Sequence, residues 1–486
     1  MTRLTVPGPQ PLPLFGRTIL LSKFVRDSLG FTSQLFQNYG NLVSLARGGG
    51  TNIYSPLPNC PGTVFTYGAE NVEKVTTQHE IYYKYPLTGG LYRRRDESPR
   101  TEPLKHFGVG LFGVNSDAHR RHRQLLMPAF HQKRIESYRD SIVAITESLS
   151  QQFEVNQVTN IAALMRSLTL RVATKTLFGV DIGEKGSKSA KLLQQIGILL
   201  GSPITMVFPF DLPGFPFHRM MTLMAELDEE MRGIIRSRQA IESDTGDVLS
   251  MLIKARDAET GMTLSEDELL GHVSVIFAAG HETSANALTW TLFLLSQHPQ
   301  IAADLLDELD RVLQGEAPSI EQLQQLPLLE RVIKESLRII PPVPWNARVT
   351  SQATTLEGYE LPPGTEVWVS IYHTHHSPEI YSQPRKFNPQ RWETLEVDNF
   401  AYNPFSAGSR KCIGAGFAMM EIKIVLAMLL QKFRFQCLPQ QQINRSALIV
   451  LAAKGGLPML VCQQDRDFRK GVGGLRGNIR EMVELQ

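Results

Sequence analysis

Cysteine is scarce in this chain: four in 486 residues, at positions 60, 412, 437 and 462. Without paired spacing they exclude a disulfide framework and fit a reducing, cytoplasmic compartment. Long hydrophobic runs are missing too. No stretch of about 18 apolar residues occurs, so no transmembrane anchor is expected. Residues 1–16 hold Pro7, Pro9, Pro11 and Pro13 in place of a charged segment followed by an apolar one, which excludes a signal peptide. Neither sign of charge dominates. Net charge is +2, so nothing global points to nucleic acid. No G-x-G-x-x-G lies in a strand-turn-helix context, and neither repeats nor low-complexity linkers are found. Length alone suggests about three domains, but nothing divides the chain. Residues 1–464 read as a single domain, and 465–486 as a charged, glycine-containing tail without forced structure, a disordered one.

What is present starts at Cys412, in Phe405-Ser406-Ala407-Gly408-Ser409-Arg410-Lys411-Cys412-Ile413-Gly414. Five residue types fall at fixed offsets, F-x-x-G-x-R-x-C-x-G. Ala415 to Leu430 has apolar residues at helical spacing, so a helix begins just after the cysteine. Its free N–H groups and dipole favour a negative sulfur. Gly408 and Gly414 permit a tight turn and close approach to a flat cofactor. Phe405 can cover the sulfur and exclude water. Cys60, Cys437 and Cys462 lack such surroundings and read as small core residues.

Ser265-Glu266-Asp267-Glu268 is a capping box, and the helical pattern after it runs unbroken to Pro299. About thirty residues give roughly 45 Å, enough to cross a domain. Its middle reads Ala279-Gly280-His281-Glu282-Thr283-Ser284. Gly, Glu and Thr are poor choices for packing alone in a buried helix. Small residues let another body approach the backbone, and a Thr hydroxyl can disturb the helix ladder. Ala279 and Thr283 share a face. His281 reads as a hydrogen-bonded structural residue.

Glu335 and Arg338 are neighbours on a helix that ends at Pro341-Pro342. Phe387-Asn388-Pro389-Gln390-Arg391-Trp392 follows downstream. His119 and Arg123 are four apart in a basic run, of which Arg120 and Arg121 read as surface. Elsewhere, residues 35–80 read as short strands and turns, about 117–340 as mostly helix, 353–372 as two strands, and Ala447 to Ala453 as the last strand-like run. The fold class is therefore mainly α with small β-sheets (α+β).

Together these motifs resemble the cytochrome P450 superfamily, from about Pro7 to Val461, and in texture its soluble cyanobacterial members. The resemblance implies a haem between two long helices and heme b as cofactor, with Cys412 the iron ligand. His119, Arg123, Arg348 and Arg410 would serve the haem propionates, with Phe405, Gly408 and Gly414 shaping the loop. Ala279 would face the haem, and Glu282 with Thr283 would deliver protons to bound dioxygen. Glu335, Arg338 and Arg391 would form a structural triad that locks the segment before the cysteine loop. The implied activity is a monooxygenase that inserts one atom of O2 into an apolar small molecule such as a fatty acid, alkane or terpenoid. With no residues for a flavin domain, electrons would come from a ferredoxin or flavodoxin and its reductase, docking on Arg410, Lys411 and Arg120 or Arg121. The rivals are a haem-thiolate peroxygenase or isomerase, which often lacks the acid–alcohol pair, and a non-enzymatic haem sensor or carrier.

For the substrate pocket the resemblance points to Leu91, Phe112, Phe277, Val343, Trp345 and Leu451. Residues 204–210 and 215–217 form an aromatic, proline-rich cluster that reads as a channel roof, a peripheral membrane contact or ordinary core. Tyr92-Arg93-Arg94-Arg95 reads first as a solvated basic loop and second as a carboxylate anchor.

Overall fold

The computed structural model describes residues 4–86, 99–179, 188–200, 204–205, 210–240, 246–257, 261–447 and 449–485. The expected pocket residue Leu91 and the basic run Tyr92 to Arg95 lie outside them, as do residues 206–209 of the aromatic cluster.

Helices dominate. Those that build the site are α1 (Ser116–Leu126), α2 (Ile161–Phe178), α3 (Pro216–Gln239), α4 (Glu266–Gln297), α5 (Pro327–Ile339) and α6 (Ala415–Lys432). Helix α4 is the spine. The Ser265 hydroxyl accepts from the Glu268 N–H, and the Glu268 side chain accepts from the Ser265 N–H, closing the expected capping box. From Ser284 to Gln297 every residue of α4 is buried. A helix apolar on all sides is a core helix, and α4 packs on α2, α3, α5 and α6.

The sheets are small. The largest has five strands in the order Leu42–Ser44, Thr63–Thr66, Glu366–Ser370, Trp345–Thr350, Tyr82–Tyr83. Only the pairing of Thr63–Thr66 with Glu366–Ser370 is parallel. Between 353 and 372 the expected strands form, with the hairpin Thr354–Leu356 and Tyr359–Leu361 turning at Gly358. Pro458–Gln463 pairs with both Gln157–Asn160 and Phe433–Cys437. That sheet was not expected, and among the described residues of the expected last strand only Ala452 and Ala453 are extended and paired.

The tail is a correction. Residues 465–485 are not loose: Leu475, Ile479, Met482 and Val483 are buried in the main core. Asp465 pairs with Arg434 (2.6 Å), and Glu481 with Arg445 (2.7 Å). The Glu484 N–H donates to the Arg385 carbonyl (2.8 Å). Composition there is polar on average, but the four apolar residues are spaced so that one side meets the core. The aromatic cluster divides: Phe217 is buried, whereas Ile204, Phe210 and Phe215 are exposed.

Candidate functional site

Cys412 lies on the wall of an internal cavity whose empty space, mouth included, comes to about 1650 Å³. Its own N–H donates to the Phe405 carbonyl (2.8 Å), and the Lys411 N–H to the Gly408 carbonyl (3.1 Å), which folds the loop back on itself. Gly408 has φ +66, and a Cβ there would sit 2.3 Å from the Thr76 carbonyl oxygen. Only glycine serves at that point, but what it approaches is the end of a neighbouring helix and not the cavity. Gly414 does line the cavity, with ordinary backbone angles and room for a side chain. Cys412 is exposed as a residue, yet the surface it borders is the cavity. Burial pushes its thiol pKa up; the Gly414 N–H, Lys84 and Arg123 pull it down. A cation or Lewis acid bound at the sulfur would decide for the thiolate.

The middle of α4 also lines this cavity. Ile276, Ala279, Gly280, Thr283, Ser284 and Ala287 line the cavity at helical spacing. At Gly280 a Cβ would meet nothing within 4 Å, so the backbone there faces open space. The Thr283 hydroxyl donates to the Ala279 carbonyl (2.8 Å). Glu282 points elsewhere: Arg166 of α2 grips both its oxygens, at 2.8 and 3.1 Å. The acid and the alcohol therefore stand on different faces of the helix. Sequence alone did not single out Arg166, because nothing local marks an arginine 116 residues upstream as the partner of Glu282. His281 is buried, bonded to the Phe277 carbonyl (2.9 Å), and burial lowers its pKa.

One end of the cavity is a cluster of cations. His119, Arg123 and Arg410 line it, with Lys84 beside them. Arg348 stands behind, close enough to depress both Arg410 and Lys84. Burial first, then Arg410, Arg123, Lys84 and Arg348, push His119 down to about 3, so it is neutral. Burial and Arg348 push Arg410 down to about 9. Burial, Arg348 and Arg410 hold Lys84 well below its ordinary value. Among the described residues no carboxylate forms an ion pair with any of the five. The Arg348 Nη2 is buried with no hydrogen-bond partner, while Arg123 donates to the Lys411 carbonyl (2.8 Å). Arg410 donates to the carbonyls of Leu111 (3.0 Å) and Val114 and to the Asn115 Oδ1, so it faces inward and is no part of an outer docking face. Buried cations without counter-ions are costly, and a group carrying two carboxylates fits this end. Lys84 also went unmarked; a lysine following the short strand Tyr82–Tyr83 carries no signal of burial.

The remaining wall is apolar, with Phe112, Val343, Leu177 and Ile371. Phe277, Trp345 and Leu451 do not reach it. Phe277 packs on Phe178 (5.6 Å), Trp345 on Phe65 (5.7 Å), and the Leu451 carbonyl accepts from Trp290 (2.8 Å).

Glu335, Arg338 and Arg391 meet in the interior. One Glu335 oxygen accepts from Arg391 Nε (2.9 Å), Arg338 Nη2 (2.9 Å) and the Asn388 N–H (3.0 Å). The other accepts from Arg338 Nε (2.9 Å) and Trp392 Nε1 (3.0 Å). Arg338 also donates to the His375 carbonyl (2.8 Å), and His375 Nε2 accepts from the Asn403 N–H (3.0 Å) just ahead of the cysteine loop.

A family model described as Cytochrome P450 matches residues 6–456. Cyclooctatin synthase of Streptomyces melanosporofaciens is 33% identical over 93% of this chain and 94% of its own length. Pentalenene oxygenase of Streptomyces avermitilis is 30% identical over 91% and 93%. A cyanobacterial enzyme solved with retinoic acid bound superposes with TM-score 0.80 at 26% identity, covering 95% of this chain and all of that one.

Proposed function

The chain belongs to the cytochrome P450 family, a heme b monooxygenase that uses O2, an apolar substrate and a redox partner, and from that premise we propose that it oxidises a cyclic terpenoid, with Cys412 as the residue that would hold the haem iron. One observation carries the reading: Cys412 and Thr283 line one and the same cavity, whose walls are mostly apolar. An apolar cavity with few polar groups selects a ligand that is mostly hydrocarbon. The names of relatives in Streptomyces point the same way: a cyclooctatin synthase, a cyclooctat-9-en-7-ol 5-monooxygenase and a pentalenene oxygenase.

Heme b, when bound, supplies activation of O2 for insertion of one oxygen atom. The chain's own residues do the rest. Lys84, Arg123, Arg348 and Arg410 would hold the two propionates, and neutral His119 would add a hydrogen bond. Phe405 keeps water from the sulfur, and the Gly414 N–H stabilises the thiolate. The Thr283 hydrogen is engaged with the Ala279 carbonyl, so its oxygen is free to accept a proton from the cavity side. Glu282 must leave Arg166 to supply one, which makes that pair a point of control. The Glu335 triad holds the segment that carries Cys412. Electrons come from a ferredoxin or flavodoxin with its reductase, docking at exposed Lys411 and Arg120.

The test is an optical titration of the ferric holoprotein with cyclic terpenes, fatty acids, alkanes and steroids. A low-spin to high-spin shift confined to cyclic terpenoids is expected. A shift with fatty acids alone would overturn the substrate class. Thiolate ligation that survives Cys412→Ala would overturn the ligand assignment.

A further inference from the structure

Ile371 of the short helix Ile371–His375 lines the Cys412 cavity, whereas Tyr372 and His373, with His376 just beyond, line a second one. The two cavities share this helix as a wall. The empty space of the second, mouth included, comes to about 890 Å³, and the oxidation proposed above makes no use of it. Its walls are aromatic. The Phe36 ring meets Tyr67 (4.7 Å) and His373 (4.8 Å) edge-on. Tyr372 meets His373 edge-on (5.0 Å) and lies 4.1 Å from His376. Such a box suits a flat aromatic body. His373 is locked in place by serines. The Ser33 hydroxyl donates to the Leu29 carbonyl (2.8 Å), so its oxygen accepts from His373 Nε2 (2.8 Å), and His373 Nδ1 accepts from the Ser370 hydroxyl (2.7 Å). Burial first of all pushes His373 and His376 down to about 3, so both rings are neutral.

Arg385 and Glu484 are then the charged side chains that line the space. The Glu484 N–H donates to the Arg385 carbonyl (2.8 Å), which ties the two backbones together. Among the described residues neither side chain forms an ion pair, with the other or with a third group. The charge of Arg385 acts on Tyr372 and His376, so the guanidinium stands near the aromatic wall. One cation and one carboxylate, unpaired beside an aromatic box, match a ligand that brings both charges and a flat ring.

We propose that this second cavity is an effector site for an amino-acid-like zwitterion with an aromatic side chain. The ring lies among Phe36, Tyr67 and Tyr372, the carboxylate meets Arg385, and the ammonium meets Glu484. A neutral hydrocarbon leaves both charges unused, and a simple carboxylate meets Glu484 as a like charge. Occupancy is felt at the cysteine loop through the shared helix: Ile371 faces the first cavity, and His375 Nε2 accepts from the Asn403 N–H (3.0 Å). A ligand that favours one placement of this helix biases the first cavity, and a ligand there biases the second by the same factor.

The test is equilibrium dialysis of the ferric holoprotein, its haem cavity saturated with an azole, against three probes that share one ring: tryptophan, indole-3-acetate and tryptamine. Tryptophan is expected to bind at least about fivefold tighter than either of the others. Arg385→Gln should weaken tryptophan and indole-3-acetate and leave tryptamine unmoved. Glu484→Gln should weaken tryptophan and tryptamine and leave indole-3-acetate no weaker. Both residues are exposed, so neither replacement should disturb folding. At saturating tryptophan the affinity of the azole, read from the Soret shift, should change by at least about fivefold. No binding of any probe up to roughly 10 mM overturns the site. Equal binding of all three, or tryptophan binding unmoved in both variants, overturns the zwitterion assignment. Tryptophan that binds without altering the azole affinity overturns the effector role. None of these readouts needs turnover, so they stand apart from the substrate proposed above.

Discussion

Replacing Glu335 by alanine tests the buried triad most directly. The carboxylate is wholly buried and accepts five hydrogen bonds, three of them from Arg338 and Arg391. Both guanidiniums are buried as well. Removing the acid leaves two desolvated cations with only carbonyl partners, His375 and Lys386 for Arg338, and Ser382, Gln383 and Lys386 for Arg391. Breaking a buried pair from one side costs about 3–5 kcal/mol, a large share of a typical total of roughly 5–15 kcal/mol. The effect should reach the site, because Arg338 and His375 together hold the backbone at Asn403, nine residues before the cysteine. Urea unfolding of the holoprotein and the spectrum of its reduced carbon monoxide complex measure the two consequences together. Expected are a loss of at least about 3 kcal/mol and conversion of most molecules from the thiolate-ligated to the inactive spectral form. A loss under about 1 kcal/mol with the thiolate spectrum intact would refute the idea that the cluster is more than surface decoration.

Thr283→Ala should uncouple the enzyme, lowering product per electron about tenfold or more while the substrate-induced spin shift persists; unchanged coupling would remove Thr283 from proton handling. Stability should fall steeply in acid. His119, His272, His373, His375 and His376 are all pushed down to about 3, mainly by burial. Unfolding lets each take a proton near its ordinary value, so their contribution is complete above about pH 6.5 and is lost as pH drops toward 3; a urea midpoint that holds steady from pH 7 to 5 would contradict this. Deleting residues 465–486 should expose the core face now covered by Leu475, Ile479, Met482 and Val483. At about 1.5–3 kcal/mol for each side chain, the shortened chain should fail to accumulate in folded, haem-loaded form, as soluble yield and the Soret absorbance would show.

The sequence disclosed most where the signal is local. The capping box at Ser265, the breaker at Pro299, the helix after Cys412 and the strands around Gly358 all lie where expected, because each depends on neighbours a few residues away. Spacing also told that Ala279 and Thr283 share a face. It could not tell that Glu282, next in line, turns toward α2, since that depends on Arg166. Lys84 escaped for the same reason: a charged residue reads as solvent-facing until the fold shows what surrounds it. Phe277, Trp345 and Leu451 are apolar and near the cavity in sequence order, but apolar character does not distinguish a cavity wall from the core behind it. The tail was misjudged because average composition hides four well-spaced apolar residues.

The strand Gln157–Asn160 must wait for its partner. That partner, Pro458–Gln463, follows roughly 300 residues later, so at about 5–20 residues per second the ribosome leaves the first strand unpaired for some 15–60 s. An open strand edge is a template for wrong pairing. Here it is four residues long, Gln-Val-Thr-Asn, and three of the four remain exposed even when paired. The segment that has to stand idle so long is thus short, polar and unattractive to other strands, and the apolar strand that completes it, Pro458–Gln463, emerges when its seat is already built.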